Sequence, residues 1–198
     1  MCRRSVKSAK RTSQNRIELI VYLDDDDSRL AEYKDFLLPG EHVIDRPRRS
    51  GEAIRLLMDG YADGDMFYFG SDDMTWETKD WDLIFEKRMP EHGLAVLYAA
   101  MGDSCNPCFT RKWVDTVGLF PAYFKHFGPD TWYADIAKRA GVLVRVPEVK
   151  FDHQRVQDAT YHRTRADGDG VFAKRMLDET AEERQKLAEK VKAAILAS

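Results

Sequence analysis

The β-branched, apolar run IELIVYL (17–23) stops at four consecutive aspartates, Asp24 to Asp27, followed by Ser28. Seven residues, all but Glu18 apolar, suffice for one buried strand. A second run, DMFYFG (65–70), leads in the same way into Ser71, Asp72 and Asp73. A strand that delivers acids at its exit reads as the carboxyl edge of an α/β sheet, the edge where such sheets bind ligands. Two exits of this kind face the same way if their strands are parallel.

The rest of the chain alternates in the manner this requires. A short helix is expected over 29–36, a strand over HVID (42–45), and a helix over GEAIRLLMDGYA (51–62), with Ala53, Leu56, Leu57 and Tyr61 at helical spacing. WDLIFEKRMPEH (81–92) starts as a helix and breaks at Pro90. LAVLYAA (94–100) reads as a strand. RKWVDTVGLF (111–120) and WYADIAKRAG (132–141) read as helices that stop at glycine. Strand material follows in VLVRVP (142–147) and EVKFDH (148–153). The pattern predicts an α/β fold with an open, mostly parallel sheet flanked by helices. Residues 1–155 form the main domain on this reading. Residues 156–198 form a C-terminal extension whose Leu177, Ala181, Ala188, Val191 and Ile195 make one helical stripe, fit to pack on the body or on a second copy of the chain.

Composition narrows the function classes. Lys and Arg number 31 against 34 Asp and Glu, a net charge of −3, which disfavours a globally basic nucleic-acid wrapper. The aromatic content of 11%, with four Trp, disfavours a disordered chain. Apolar runs fall well short of the roughly 18 residues that span a bilayer, and no secretory leader is evident. Cys105 and Cys108 form a C-x-x-C without a second ligand pair, so reduced thiols and a cytoplasmic setting are expected. Residues 1–16 hold six basic residues and no acid, either a solvated helix face or an arm for a phosphate-bearing partner.

Three further features bear on chemistry. Adjacent carboxylates such as Asp72 and Asp73 repel unless water or a cation intervenes, and oxygen donors of this kind suit Mg²⁺ or Mn²⁺ bridged to phosphate. The alternative is a solvated acidic turn capping a helix near Thr78. RPRRS (46–50) supplies fixed positive charge from the loop between the two acidic exits. His153, at the end of a strand, would make a sound further ligand if it neighbours Asp72.

These pieces together resemble the GT-A glycosyltransferases of the broad inverting family-two group, and in particular the short glycosyltransferase-like proteins of phage and bacterial genomes. The matching stretches are IVYLDDDDS, RPRRSGEAI, GDMFYFGSDDM with Trp81-Asp82 beyond it, GLFPAYFKHFGPDTWYADIAKRAG and PEVKFDH, spanning about residues 16–155. The resemblance implies that Asp72 is the metal-binding carboxylate of the Asp-x-Asp motif with Asp73 beside it. It implies that Asp24 and Asp25 contact base and ribose, and that Arg48 and Arg49 lead into the helix flanking the diphosphate. Asp130 corresponds to the general base and His153 to the late histidine of the metal site. Gly70 replaces the first Asp of Asp-x-Asp, and Pro129 replaces the Glu that usually precedes the base. The family's usual first strand has no counterpart, since the chain begins about where the first helix stands.

The expected activity is metal-dependent, inverting transfer of a sugar from a nucleotide diphosphate donor, a UDP-sugar by the resemblance, to an acceptor hydroxyl, with Mn²⁺ or Mg²⁺ as cofactor. Trp76 and Trp132 are candidates for stacking on a sugar, or equally for core packing. Two alternatives stand beside it: a non-catalytic nucleotide-sugar-binding module, and a phage glycosyltransferase acting on modified DNA bases.

Overall fold

The computed structural model describes residues 2–14, 17–61, 63–99, 106–153 and 166–198. Among them are eight helices and eight strands in three small sheets. The first helix, α1 (Cys2–Thr12), precedes β1 (Val21–Asp24), α2 (Leu30–Lys34), β2 (His42–Asp45) and α3 (Ser50–Gly60). Then come β3 (Met66–Tyr68), β4 (Met74–Trp76), α4 (Trp81–Arg88), β5 (Val96–Ala99), β6 (Cys108–Thr110) and α5 (Arg111–Val117). The chain continues through α6 (Pro129–Ala140), β7 (Leu143–Val146), β8 (Phe151–His153), α7 (Asp169–Glu179) and α8 (Ala181–Leu196).

The α/β class holds, but the sheets are mixed, not mostly parallel. Strands β1 and β2 pair in parallel, Asp24 opposite Asp45. The central sheet has the order β3-β6-β5-β7, with β6 antiparallel to both neighbours and β5 parallel to β7. Strands β4 and β8 form a separate antiparallel pair. The departure comes from β4 and β6. Each has three residues, too few to show a period in the sequence, and each follows the preceding strand after a connection shorter than the dozen or so residues a parallel crossover needs. Because β6 runs against both β3 and β5, those two strands and β7 still point the same way.

Strand β5 is the centre of the core. Leu94 to Ala99 are at most 2% exposed. Val96 and Tyr98 face a cluster with Phe109, Trp113, Phe120, Trp132 and Tyr133. Leu97 and Ala99 face another, with Met74, Trp76, Trp81, Phe85 and Phe151. This is the period-two alternation of a strand buried on both faces. Trp76 stacks on Trp81 at 3.9 Å between ring centroids, and Trp132 packs on Phe124, so both tryptophans are core residues.

Local chemistry sets the helix ends. Thr110 caps α5 by accepting from the Trp113 N–H at 3.1 Å. Gly118 and Gly141 close α5 and α6 at φ of 80° and 79°, a region costly to residues with a Cβ. Thr180 separates α7 from α8, where the sequence suggests one continuous stripe. Ala173 of α7 and Ala188 and Val191 of α8 belong to the same apolar cluster as Trp113 and Trp132. The stripe of α8 therefore faces α6 and α5 of its own chain. Arg184, 4% exposed, donates to Asp135 Oδ2 at 2.6 Å, to Thr180 Oγ1 and to the Leu177 carbonyl, tying α8 to α6. No helix among the described residues is long and apolar enough to cross a membrane. Cys108 is buried in β6, and Cys105 lies outside the described residues.

Candidate functional site

Chain direction places Asp130 and the first residues of α3 at the carboxyl end of the central sheet. Helix α6 runs back to the start of β7, so its first turn, with Asp130, lies at the carboxyl end of β5. The Tyr98 hydroxyl, one residue from the end of β5, donates to the Asp130 carbonyl at 2.9 Å. Helix α3 likewise leads to the start of β3, so its first residues lie at that same end. The Gly51 N–H donates to the Lys125 carbonyl at 2.6 Å, a few residues before α6. A Cβ on Gly51 would stand 2.2 Å from the Phe124 carbonyl oxygen, so only glycine permits this approach.

Asp72 and Asp73 form the tip of the turn between β3 and β4, closed by the Met74 N–H to the Ser71 carbonyl at 3.3 Å. The turn is braced by Ser5 of α1, whose hydroxyl donates to the Ser71 carbonyl at 3.2 Å. Met74 lies opposite His153 in the β4–β8 register. The carboxylate that meets the histidine is consequently Asp73, with Oδ1 3.1 Å from His153 Nε2. The contact is close in distance but not aligned as a hydrogen bond. Asp73 Oδ1 is buried and has no hydrogen-bond partner among the described residues. Asp72 is exposed and sits near Cys2, where its charge adds to burial in pushing the thiol up to about 11.

The spacing of that pair matches two adjacent ligands of a divalent ion. Adjacent ligands of an octahedral ion with bonds of about 2.1 Å stand about 3 Å apart, close to the observed separation. A carboxylate oxygen and an imidazole nitrogen form a donor set suited to Mn²⁺. No group of three or more Asp, Glu, His or Cys donors gathers among the described residues. An ion held by these two residues would take its other ligands from water and substrate oxygens, as Mg²⁺ commonly does.

Asp24 and the basic loop form a second group. Asp24 Oδ1 accepts from the Arg48 backbone N–H at 3.2 Å, and burial raises its pKa, reinforced by the neighbouring aspartates. Asp25 is exposed, and its N–H donates to the Asp45 carbonyl at 2.8 Å. Two of the loop's three guanidinium groups, those of Arg48 and Arg49, are matched within the protein. Arg48 Nη2 pairs with Asp45 Oδ2 at 2.7 Å, holding that carboxyl below its usual range. Arg49 pairs with Asp167 and, at 3.7 Å, with Asp169 at the start of α7. Asp27 serves α2, accepting from the Arg29 N–H and the Tyr33 hydroxyl.

Asp130 occupies the first turn of α6, after Gly128 at φ 110° and Pro129 at the first helical position. Its Oδ1 accepts from the Thr131 N–H at 2.7 Å. Burial dominates and raises its pKa. A carboxyl raised in this way is a better proton acceptor than one held low.

Reading of the sequence missed Asp45, Asp167, Asp169 and His126, whose Nδ1 lies 2.8 Å from Ser50 Oγ. Asp45 carried a signal, since HVID is a third acidic strand exit. The other three carried none, because only the packing of α3 against the 124–126 loop and α7 brings them in. A cavity of about 120 Å³ between α1 and α2, lined by Cys2, Arg3, Arg29, Tyr33 and Phe36, is smaller than the roughly 300 Å³ expected for a cofactor-sized ligand. A wider depression of about 380 Å³ beside α7 is lined by Gly168, Val171, Phe172 and Arg175, without the acids. None of the candidate site residues lines either cavity.

The chain matches no protein-family model, and no curated protein matches it.

Proposed function

We propose that the protein is a metal-dependent, inverting glycosyltransferase of GT-A type that moves a sugar from a nucleotide diphosphate donor to an acceptor hydroxyl. The observation that carries this reading is the Asp73–His153 contact, which leaves a buried carboxylate oxygen unbonded 3.1 Å from an imidazole nitrogen. Those two residues would hold Mn²⁺ or Mg²⁺, with Asp72 on the same turn contributing negative charge. Such an ion, when bound, stabilises the charge that develops on a departing diphosphate. Asp130 takes the proton of the acceptor hydroxyl, its carboxylate oriented by the Thr131 N–H and its basicity raised by burial. Asp24 and Asp25, at the end of β1, bind the donor's base and ribose. Arg48 and Arg49 approach the diphosphate once its oxygens compete with Asp45 and Asp167 for the guanidinium groups.

The test is a donor assay with purified protein, UDP-sugars and Mn²⁺. Release of UDP that requires the metal and falls in Asp73→Asn and His153→Gln supports the reading. Tight UDP-sugar binding with no turnover identifies a binding module instead, and absence of both overturns the proposal.

A further inference from the structure

The protein has two basic segments, and they differ in how far carboxylates neutralise them. In the 46–50 loop, Arg48 and Arg49 are paired with carboxylates. Helix α1 carries Arg3, Arg4, Lys7, Lys10 and Arg11 with no acid of its own, and all five are exposed. Of these, Lys10 pairs with Glu41 and Arg3 lies over the Phe36 ring. Arg4, Lys7 and Arg11 make no ion pair among the described residues. Their spacing of three and four residues puts them in one row about 10 Å long. The acids that meet the helix include Glu41 on Lys10, Asp72 by Cys2, Asp80, whose N–H donates to the Thr12 carbonyl, and Asp82, which accepts from the Gln14 N–H; none of them pairs with Arg4, Lys7 or Arg11 among the described residues.

The row is also held rigid. Cys2, Val6, Ser8, Ala9 and Thr12 are buried. Ser8 Oγ accepts from the Trp76 N–H at 3.0 Å, and the Thr12 carbonyl accepts from the Asp80 N–H at 2.6 Å. A partner therefore meets cations whose backbone is already ordered. The apolar residues of α1 all point inward, so its outer face has nothing to insert into a bilayer, unlike an interfacial helix.

We infer that the outer face of α1 is a docking surface for the phosphate backbone of a nucleic acid, with Arg4, Lys7 and Arg11 as its contacts. This does not depend on the catalytic reading above. Three phosphate contacts predict a log–log salt slope of about −2.7, or roughly 40-fold weaker binding at 200 mM than at 50 mM salt.

Fluorescence anisotropy of a mixed-sequence 20-base-pair DNA duplex with the full chain tests this across that salt range. Binding with a slope near −2.7, abolished in Arg4→Gln/Lys7→Gln/Arg11→Gln and kept in Arg46→Gln, is the expected result. Circular dichroism and Tm check that the triple variant folds. If it does not, Arg4→Gln and Arg11→Gln singly should each reduce the slope by about 0.9. No duplex binding at 50 mM salt, or an unchanged slope in the variants, overturns the inference. Tighter, variant-sensitive binding to phosphatidylserine vesicles than to the duplex overturns it in favour of a lipid surface.

Discussion

Asp73 and His153 meet across the β4–β8 pair, with carboxylate oxygen and imidazole nitrogen 3.1 Å apart in a contact not directed as a hydrogen bond. Both side chains are 18% exposed, so water covers the pair only in part. A partly desolvated carboxylate oxygen without a donor is costly unless a cation joins it. Replacing either residue should therefore weaken Mn²⁺ binding by more than 10-fold, read by titration calorimetry or by the loss of free-Mn²⁺ signal in electron paramagnetic resonance. Asp72→Asn, on the exposed side of the turn, should have the smaller effect. Equal effects of Asp72→Asn and Asp73→Asn would remove the special position of Asp73.

Asp130 should separate activity from stability. Asp130→Asn should lower sugar transfer by about 10²- to 10⁴-fold, the usual contribution of a general base. Its effect on stability has the opposite sign. Burial raises the folded-state pKa, so the native protein binds the proton more tightly than the unfolded chain. The stabilisation linked to this group is present in full below the ordinary carboxylate pKa and is lost as pH rises through the raised value. Asp130→Asn should accordingly raise Tm at pH 7, with the gain vanishing in acid. A Tm that falls at pH 7 would mark the carboxylate as a structural anchor.

Gly51 tests the docking of α3 without removing a functional group. Gly51→Ala places a methyl 2.2 Å from the Phe124 carbonyl oxygen and 2.7 Å from that of Lys125. The backbone must move, at a cost of about 1–3 kcal/mol. The move displaces Arg49 and Ser50. Thermal melting should show the loss, and UDP-sugar affinity should fall with it. Gly60→Ala, at the far end of the same helix, meets open space and should leave Tm unchanged or slightly higher.

Asp135 holds the C-terminal helix. Burial alone would raise its pKa, but hydrogen bonds from Arg184 and Arg139 outweigh it and leave the pKa low. The stabilisation from this group is present above the ordinary carboxylate range and is lost as pH falls. Asp135→Ala strips the one charged acceptor of Arg184 among the described residues from a guanidinium that stays buried, and should cost roughly 3 kcal/mol, about 6–12 °C in Tm. The deficit should narrow on acidification, which differential scanning calorimetry at pH 7 and pH 3 would show.

The order of the long elements was present in the sequence alone. Apolar runs gave β1, β3, β5 and β7. Helical spacing gave α3, α5 and α6, the last two with glycine stops. These are properties of single segments, and each is written in neighbouring residues. Strands β4 and β6 were invisible, because three residues show no period and their pairing partners lie far along the chain. With them went the mixed direction of the sheets. One of these strands, β4, also decides the local chemistry: the β4–β8 register selects Asp73 over Asp72 to face His153. The charge balance of the 46–50 loop was likewise undetermined, since Arg49 is matched by carboxylates more than a hundred residues away. Composition and spacing fix which side chains are available; which of them become neighbours depends on long-range pairing and burial, and those exist only once the chain has folded.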